Sequence, residues 1–204
     1  NAPITQLREL RDSESADGFD QATWNSMVEL GWAAIPWAEE HGGLAFGYKG
    51  LGVVTEETGR TLAASPLFAS VWVGGTLVSL GGSDAQKSEL LPRVAAGELK
   101  LALALEESHR HSPYNIATTA AASGDGYMLS GKKTFVLDGH IADKVIVAAR
   151  TSGDRGARAG ITLFIVDSAA AGVSVTRTLM ADSRNAANVV LDGVSVSADA
   201  VLGT

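Results

Sequence analysis

In the first half of the chain, apolar residues recur at the three- and four-residue spacing that is typical of an amphipathic helix. Trp24, Met27 and Val28 share one face at this spacing. Asp20 stands where an N-cap is needed, and Gly31 stands where a helix would stop. The pattern therefore predicts a helix that begins after Asp20 and ends before Gly31.

Three further helices are predicted in the same half. One carries its apolar face at four positions, namely Leu51, Val54, Thr58 and Leu62. The next covers residues 68–81, and Ser83 with Gln86 forms a capping box that opens the last one. We expect Pro92 to break or restart this last helix, because proline lacks the backbone N–H that the helix needs.

The second half changes to short runs rich in β-branched residues, separated by Gly, Asp, Ser and Asn. The clearest runs are Lys144–Arg150, Ile161–Asp167, Val173–Thr176 and Val189–Val196. Helices followed by strands without intervening helices indicate an α+β chain. We predict an all-helical domain over residues 1–100 and an antiparallel β-barrel or sandwich domain over residues 101–204.

Composition narrows the function classes. The 204 residues are enough to bury a core, and a net charge of −7 leaves no basic field for nucleic acid or an anionic membrane. No apolar run approaches the ~18 residues that span a bilayer. The opening "NAPITQLRELRD" has neither the basic nor the apolar part of a leader. We therefore expect a cytoplasmic protein with no nucleic-acid and no membrane partner.

Two phosphate-binding motifs fail on inspection. "GYMLSGKK" has the spacing of a phosphate-binding loop, but Lys133 stands where Ser or Thr must hold magnesium. The glycines of "GLAFGYKGLG" do not follow the order of a dinucleotide fingerprint. Neither segment predicts a nucleotide site.

The stretch "LALALEESHRHSP", Leu101–Pro113, places a buried strand directly before a cluster of charges. His109 and His111 could ligate a metal, but no cysteine assists them, and we expect two exposed loop histidines and no metal. Glu106 and Glu107 could act as acid or base, but neighbouring strand residues point to opposite faces. We therefore do not expect them to act together on one bond.

Four segments, taken in order, resemble the acyl-CoA dehydrogenase family over essentially the whole chain. They are "LGWAAIPWAEEHGGLAFGYKGLGVVTEETGR", "LALALEESHRHSP", "DGYMLSGKKTFVLDGHIADKVIVAAR" and "MADSRNAANVVLDGVSVSADAVLG". The second is similar to the family's A-L-T-E-P-G-x-G-S-D segment, and the third to its G-x-x-L-N-G-x-K-x-W-I-T-N-G segment. Within the family, "EESHRHSPYNIATTA" is most similar to the branch that includes the small subunit of pimeloyl-CoA dehydrogenase.

The resemblance implies FAD as cofactor and an acyl-CoA thioester as substrate, with α,β-dehydrogenation as the reaction. It implies an electron-transfer flavoprotein or similar acceptor, and a homo- or hetero-oligomer. The flavin contacts that it implies are Leu105, Glu106, Ser112, Phe135, Val136 and Leu137. The substrate contacts that it implies are Arg110, Ser112 and Tyr114.

The sequence departs from the family pattern at several of these positions. Glu106 replaces a threonine that donates to the flavin, and an ionised carboxylate can only accept. Leu137 removes a hydroxyl, while Phe135 keeps an aromatic ring in place of tryptophan. The family's catalytic carboxylate lies in a third, helical domain, whereas this sequence ends at "VLGT", so no catalytic residue is nominated. A non-catalytic supporting subunit, a flavin monooxygenase-like relative and a flavin-free interaction module remain alternatives.

Overall fold

The computed structural model describes residues 4–203, and the chain divides into two compact units. The first unit comprises the residues up to Lys100 together with Leu179–Arg184. The second comprises Leu101–Thr178 and the residues from Asn185 onward. The first three residues of the segment inspected for a leader, and the last residue of "VLGT", lie outside the described residues.

The first unit is helical, as the sequence predicts. Its α-helices are α1 (Ile4–Asp12), α2 (Gln21–Glu29), α3 (Gly47–Thr61), α4 (Thr76–Gly81) and α5 (Asp84–Ala95), and a π-helical segment, Leu67–Gly75, leads into α4. The cap of α2 is confirmed, because the Asp20 carboxylate accepts from the Thr23 N–H at 2.7 Å. Gly31 follows with φ of +76°, which a residue without a Cβ adopts readily.

Helix α5 confirms one prediction and contradicts another. Its capping box is present, since Ser83 and Gln86 each accept from the other's backbone N–H. The prediction that Pro92 breaks the helix is wrong, because α5 continues to Ala95. Pro92 lies in the last turn, where only one donor is lost, and its carbonyl still accepts from the Ala96 N–H at 2.9 Å.

The core of the first unit is built around large buried side chains. Trp24 and Trp37 are almost fully buried, and the indole N–H of Trp37 donates to the Ala33 carbonyl at 2.8 Å. Gly75 packs directly on the Trp37 ring, where an added Cβ would come within 2.1 Å of a ring carbon. Within the described range, none of the helices has the length and apolar character needed to cross a membrane.

The second unit is a sheet of eight strands. They are β1 (Leu101–Ala104), β2 (Thr119–Ser123), β3 (Gly126–Leu137), β4 (Lys144–Arg150), β5 (Ile161–Asp167), β6 (Val173–Leu179), β7 (Asn185–Ser197) and β8 (Val201–Leu202). The pairing order is β6-β7-β3-β2-β4-β5-β8, with β1 added to β4. The order is that of an open, sandwich-like sheet, and among the described residues it does not close into a barrel.

Most pairs are antiparallel, as predicted, but β1 and β2 both pair with β4 in parallel. Two parallel strands cannot be joined by a tight hairpin and need a long connection. Between β1 and β4 this connection begins with "EESHRHSPYNIATTA" and continues through β2 and β3. Side chains from most of the strands enclose one core, in which Leu129, Val147 and Phe164 have no exposed surface. This core fixes the strand ends that carry the candidate site.

Candidate functional site

The two acids after β1 are directed to different partners. The chain leaves β1 at Ala104, so Glu106 and Glu107 lie in a loop and not in a strand as their position suggested. The Glu107 carboxylate turns towards β3, whereas the Glu106 carboxylate turns towards its own loop. They do not form a carboxylate pair.

Glu107 forms a buried ion pair with Lys133. The Lys133 Nζ donates to Glu107 Oε1 at 2.7 Å and to the Leu105 carbonyl at 3.2 Å. The Lys133 side chain is 0% exposed and that of Glu107 is 8% exposed. The carboxylate also accepts the backbone N–H groups of Ala117 at 2.6 Å and Thr118 at 2.9 Å. One buried anion therefore joins three separate chain segments.

Burial and hydrogen bonding act differently on the two charges of this pair. Burial raises the pKa of Glu107, but the hydrogen bonds from Lys133 and from the backbone N–H groups outweigh it, so the pKa lies below its ordinary value. For Lys133, burial lowers the pKa, and the opposing effect of Glu107 does not fully restore it. The carboxylate is thus held ionised.

We expect the stability of the chain to fall as the pH drops below the ordinary Glu107 pKa of 4.5. The group is ionised more readily in the folded than in the unfolded chain, so its contribution is complete above 4.5 and is lost as the pH falls through the folded pKa. Glu107→Gln should show a shallower acid dependence in urea unfolding followed by circular dichroism. Equal slopes for both proteins would show that Glu107 does not supply the dependence.

Glu106 closes its own loop. Its carboxylate contacts the ring nitrogen Nδ1 of His111 at 2.6 Å and accepts the Ser112 N–H at 3.1 Å. His109 and His111 are both exposed, as predicted. Within residues 4–203, no group of three His, Cys, Asp or Glu side chains is arranged to hold a metal ion.

A β-bulge in β3 presents Phe135. Lys133 pairs with Val189 and Val136 with Ala187, so Thr134 and Phe135 together oppose the single residue Asn188. Phe135 has φ of +58°, and the residue is 59% exposed. The bulge adjoins the loop after β1, because the Thr134 N–H donates to the Glu106 carbonyl at 2.8 Å.

A cavity of about 380 Å³ lies beside this bulge. It is lined by Glu107, Ser108, His109, Thr134, Phe135, Thr178, Ala186 and Asn188. Ligand pockets of cofactors begin at about this size. The cavity is therefore large enough to receive part of a ligand.

The predicted site residues are only partly brought together at the cavity. Phe135 lines it, while Val136 is buried beneath and Leu137 is half-buried. Leu105 and Glu106 adjoin the bulge through their carbonyls, which accept from Lys133 and Thr134. Thr134, Thr178, Ala186 and Asn188 were not predicted. Asn188 is a polar residue directly before the predicted strand run Val189–Val196, which was an available signal.

The predicted substrate contacts lie on the loop beyond Glu106. Arg110 and Tyr114 are exposed and Ser112 is half-buried. The Arg158 guanidinium stacks over the Tyr114 ring, 5.0 Å from its centroid, which is a cation–π contact. Within the part of the chain that the structure describes, the Arg110 side chain makes no ion pair or hydrogen bond.

The residues at the cavity fit one face of a flavin ring. Phe135 offers an exposed aromatic surface, and the Thr134 hydroxyl donates to Asn188 Oδ1 at 2.8 Å, which orients the amide. The Asn188 NH₂ group makes no hydrogen bond with any described residue, so two donors remain for a carbonyl of the ligand. The fit concerns the ring alone, because the described residues that line the cavity include no lysine or arginine for a phosphate.

A helical unit followed by an open mixed sheet, with an aromatic bulge beside a cavity, defines a class of two-domain α+β proteins. Two family models match this chain. They are "Acyl-CoA dehydrogenase, N-terminal domain" over residues 4–98 and "Acyl-CoA dehydrogenase, middle domain" over residues 102–194. The chain belongs to the acyl-CoA dehydrogenase family.

Individual relatives agree with this assignment. The chain is 36% identical to a 3-(aryl)acrylate reductase of Clostridium sporogenes, over 76% of this chain and 42% of the relative. It is 32% identical to the acyl-CoA dehydrogenase FadE29 of Mycobacterium tuberculosis, over 90% of this chain and 48% of the relative. The chain thus spans about half the length of these curated relatives.

A solved structure has the same fold. A chain of the ChsE4-ChsE5 complex from Mycobacterium tuberculosis matches with a TM-score of 0.86 at 27% identity, over 99% of this chain and 52% of that one. The similarity includes both units of the present chain.

Proposed function

We propose that this chain supplies the N-terminal and middle domains, divided near residue 100, of an FAD-dependent acyl-CoA dehydrogenase, as part of one polypeptide or as one subunit of a complex. The observation that carries the proposal is the exposed Phe135 ring, held on a bulge beside the cavity of the second unit. Family membership supports the cofactor and the reaction. The substrate would be an acyl-CoA thioester.

The residues of this chain would bind and orient the flavin. When bound, FAD accepts the hydride that leaves the β-carbon of the substrate. Phe135 would cover one face of the ring, and the Asn188 amide, oriented by Thr134, would donate to a ring carbonyl. Glu106 and Glu107 are each engaged by two or more donors, so neither is free to remove the α-proton. The base would come from another part of the protein or from a partner.

A second candidate function is that of a non-catalytic subunit that supports an active partner. Glu106 favours this function, because it is a hydrogen-bond acceptor at a position where the family pattern has a donor. The Glu106 carboxylate is held in its own loop by His111 and Ser112. The structural relative described as a complex of two named components is consistent with a paired assembly.

The proposal also includes an electron-transfer flavoprotein as electron acceptor, an oligomeric assembly and a cytoplasmic location.

The experiment that separates the two functions is a turnover assay. The whole polypeptide that contains this chain would be purified, alone and with the product of the neighbouring gene, and then given acyl-CoA and an artificial electron acceptor. A dehydrogenase forms enoyl-CoA and reduces the acceptor in one of these preparations. Retained flavin without any acceptor reduction in either preparation would support the non-catalytic subunit and contradict the leading proposal.

We expect Glu106→Thr to tighten flavin binding about tenfold, because it removes a charge and restores a donor. Fluorescence titration with FAD measures the dissociation constant. His111→Ala is the matched control, since it frees the same loop without changing residue 106, and should leave the constant within about twofold. An unchanged or weaker affinity for Glu106→Thr would place Glu106 away from the flavin.

A further inference from the structure

Arg150 at the end of β4 is a buried cation held entirely by backbone carbonyls. The residue is 8% exposed, and it forms no salt bridge with any residue between 4 and 203. Each of its five N–H groups donates to a different carbonyl, at 3.0–3.3 Å. The acceptors are Ile116, Ser152, Ala159, Tyr114 and Ala157.

These carbonyls belong to two surface segments that Arg150 joins. One is residues 114–118, and the other is residues 151–160 between β4 and β5. Two hydrogen bonds also connect the segments directly. The Gly156 N–H donates to the Tyr114 carbonyl at 3.1 Å, and Arg155 Nε donates to Asn115 Oδ1 at 2.7 Å. The two segments are therefore linked to each other directly as well as through Arg150.

The segment 114–118 lies between two buried charges of opposite sign. Arg150 takes the carbonyls of Tyr114 and Ile116, and Glu107 takes the N–H groups of Ala117 and Thr118. A guanidinium donates to carbonyl oxygens and a carboxylate accepts from N–H groups, so the two charges bind opposite kinds of backbone group in the same segment. Glu107 continues this connection to Lys133, which directly precedes the bulge of Phe135.

We propose that Arg150 is a positioning residue that, opposite Glu107, fixes the segment 114–118 and thereby sets the place of the substrate-contacting loop relative to the cavity beside Phe135. The part that concerns substrate rests on the proposed function, because Ser112 and Tyr114 are its predicted substrate contacts. The part that concerns the joined segments rests on the hydrogen bonds of Arg150 alone.

Arg150→Lys tests the proposal, because lysine keeps the charge but has three donors on one nitrogen in place of a five-donor fork. We expect amide hydrogen exchange in residues 112–118 and 151–160 to become about tenfold faster, with β4 and β5 unchanged. In the active preparation, the KM for acyl-CoA should rise about tenfold while kcat changes less than about twofold. Arg93→Lys, at an exposed position of α5, is the control and should change neither quantity.

Faster exchange throughout β4 and β5, or an unchanged KM with a lowered kcat, would overturn the proposal. If Arg150→Lys does not fold, Arg155→Ala serves instead, because it removes the surface hydrogen bond to Asn115 that connects the same two segments. This variant should speed exchange in residues 112–118 by a smaller factor. If the wild type shows no turnover, the proposed function fails, and the dissociation constant of acyl-CoA measured by calorimetry replaces KM. An acyl-CoA affinity equal in wild type and variant would then overturn the positioning role.

Discussion

Replacing Lys133 by methionine should lower the free energy of unfolding by about 3–5 kcal/mol, because it leaves Glu107 as a buried charge without its partner. The ammonium group is fully buried and donates both to the Glu107 carboxylate and to the Leu105 carbonyl. Methionine fills a similar volume, so the loss is electrostatic and not one of packing. Urea unfolding followed by far-ultraviolet circular dichroism measures the change.

Lys132 provides a matched control for this prediction. It is the neighbouring lysine on β3, but it is exposed, so Lys132→Met should change stability by no more than about 0.5 kcal/mol. Adding Glu107→Gln to Lys133→Met should recover a large part of the loss, since glutamine carries no charge and still accepts N–H donors. A small loss for Lys133→Met, similar to that for Lys132→Met, would contradict the buried ion pair.

Replacing Phe135 by glycine should separate function from stability. Flavin affinity is expected to fall about tenfold or more, because stacking on an aromatic ring contributes about 1–3 kcal/mol. Stability should not fall, since the side chain is mostly exposed and φ of +58° strains any residue that has a Cβ. Relief of this strain, worth about 1–2 kcal/mol, offsets the entropy that glycine adds to the unfolded chain.

Two measurements check this prediction on the same protein, namely FAD titration for affinity and urea unfolding for stability. Val136→Ala is the contrasting variant, because Val136 is completely buried and its truncation should lower stability. If Phe135→Gly destabilises the chain as Val136→Ala does, the ring is a structural element. If it leaves flavin affinity unchanged, the flavin does not bind at the bulge.

Local signals in the sequence predicted much of the fold. The cap at Asp20 and the capping box of Ser83 and Gln86 depend on residues three positions apart, and both are present. The runs Lys144–Arg150 and Ile161–Asp167 are strands with the predicted bounds. The prediction for Pro92 was wrong because the destabilising effect of a proline depends on how near it lies to the end of the helix. The proline itself does not indicate where the helix ends.

The site depends on contacts that sequence spacing does not encode. Lys133 is 26 residues from Glu107, and the bulge of Phe135 is apparent only from the register of β3 on β7. Glu106 and Glu107 lie beyond β1, which ends at Ala104, so the alternation of side chains between the two faces of a strand does not apply to them. The flavin and substrate contacts taken from the family resemblance stay predictions, as does the division near residue 100.

Anaerobic reduction of the bound flavin tests most directly the proposal that the chain belongs to a flavin-binding acyl-CoA dehydrogenase. The protein, alone and with the product of the neighbouring gene, would be mixed with acyl-CoA in the absence of oxygen while flavin absorbance is followed. We predict a yellow protein that bleaches when acyl-CoA is added. A protein that is colourless and indifferent to acyl-CoA in both preparations would contradict the account.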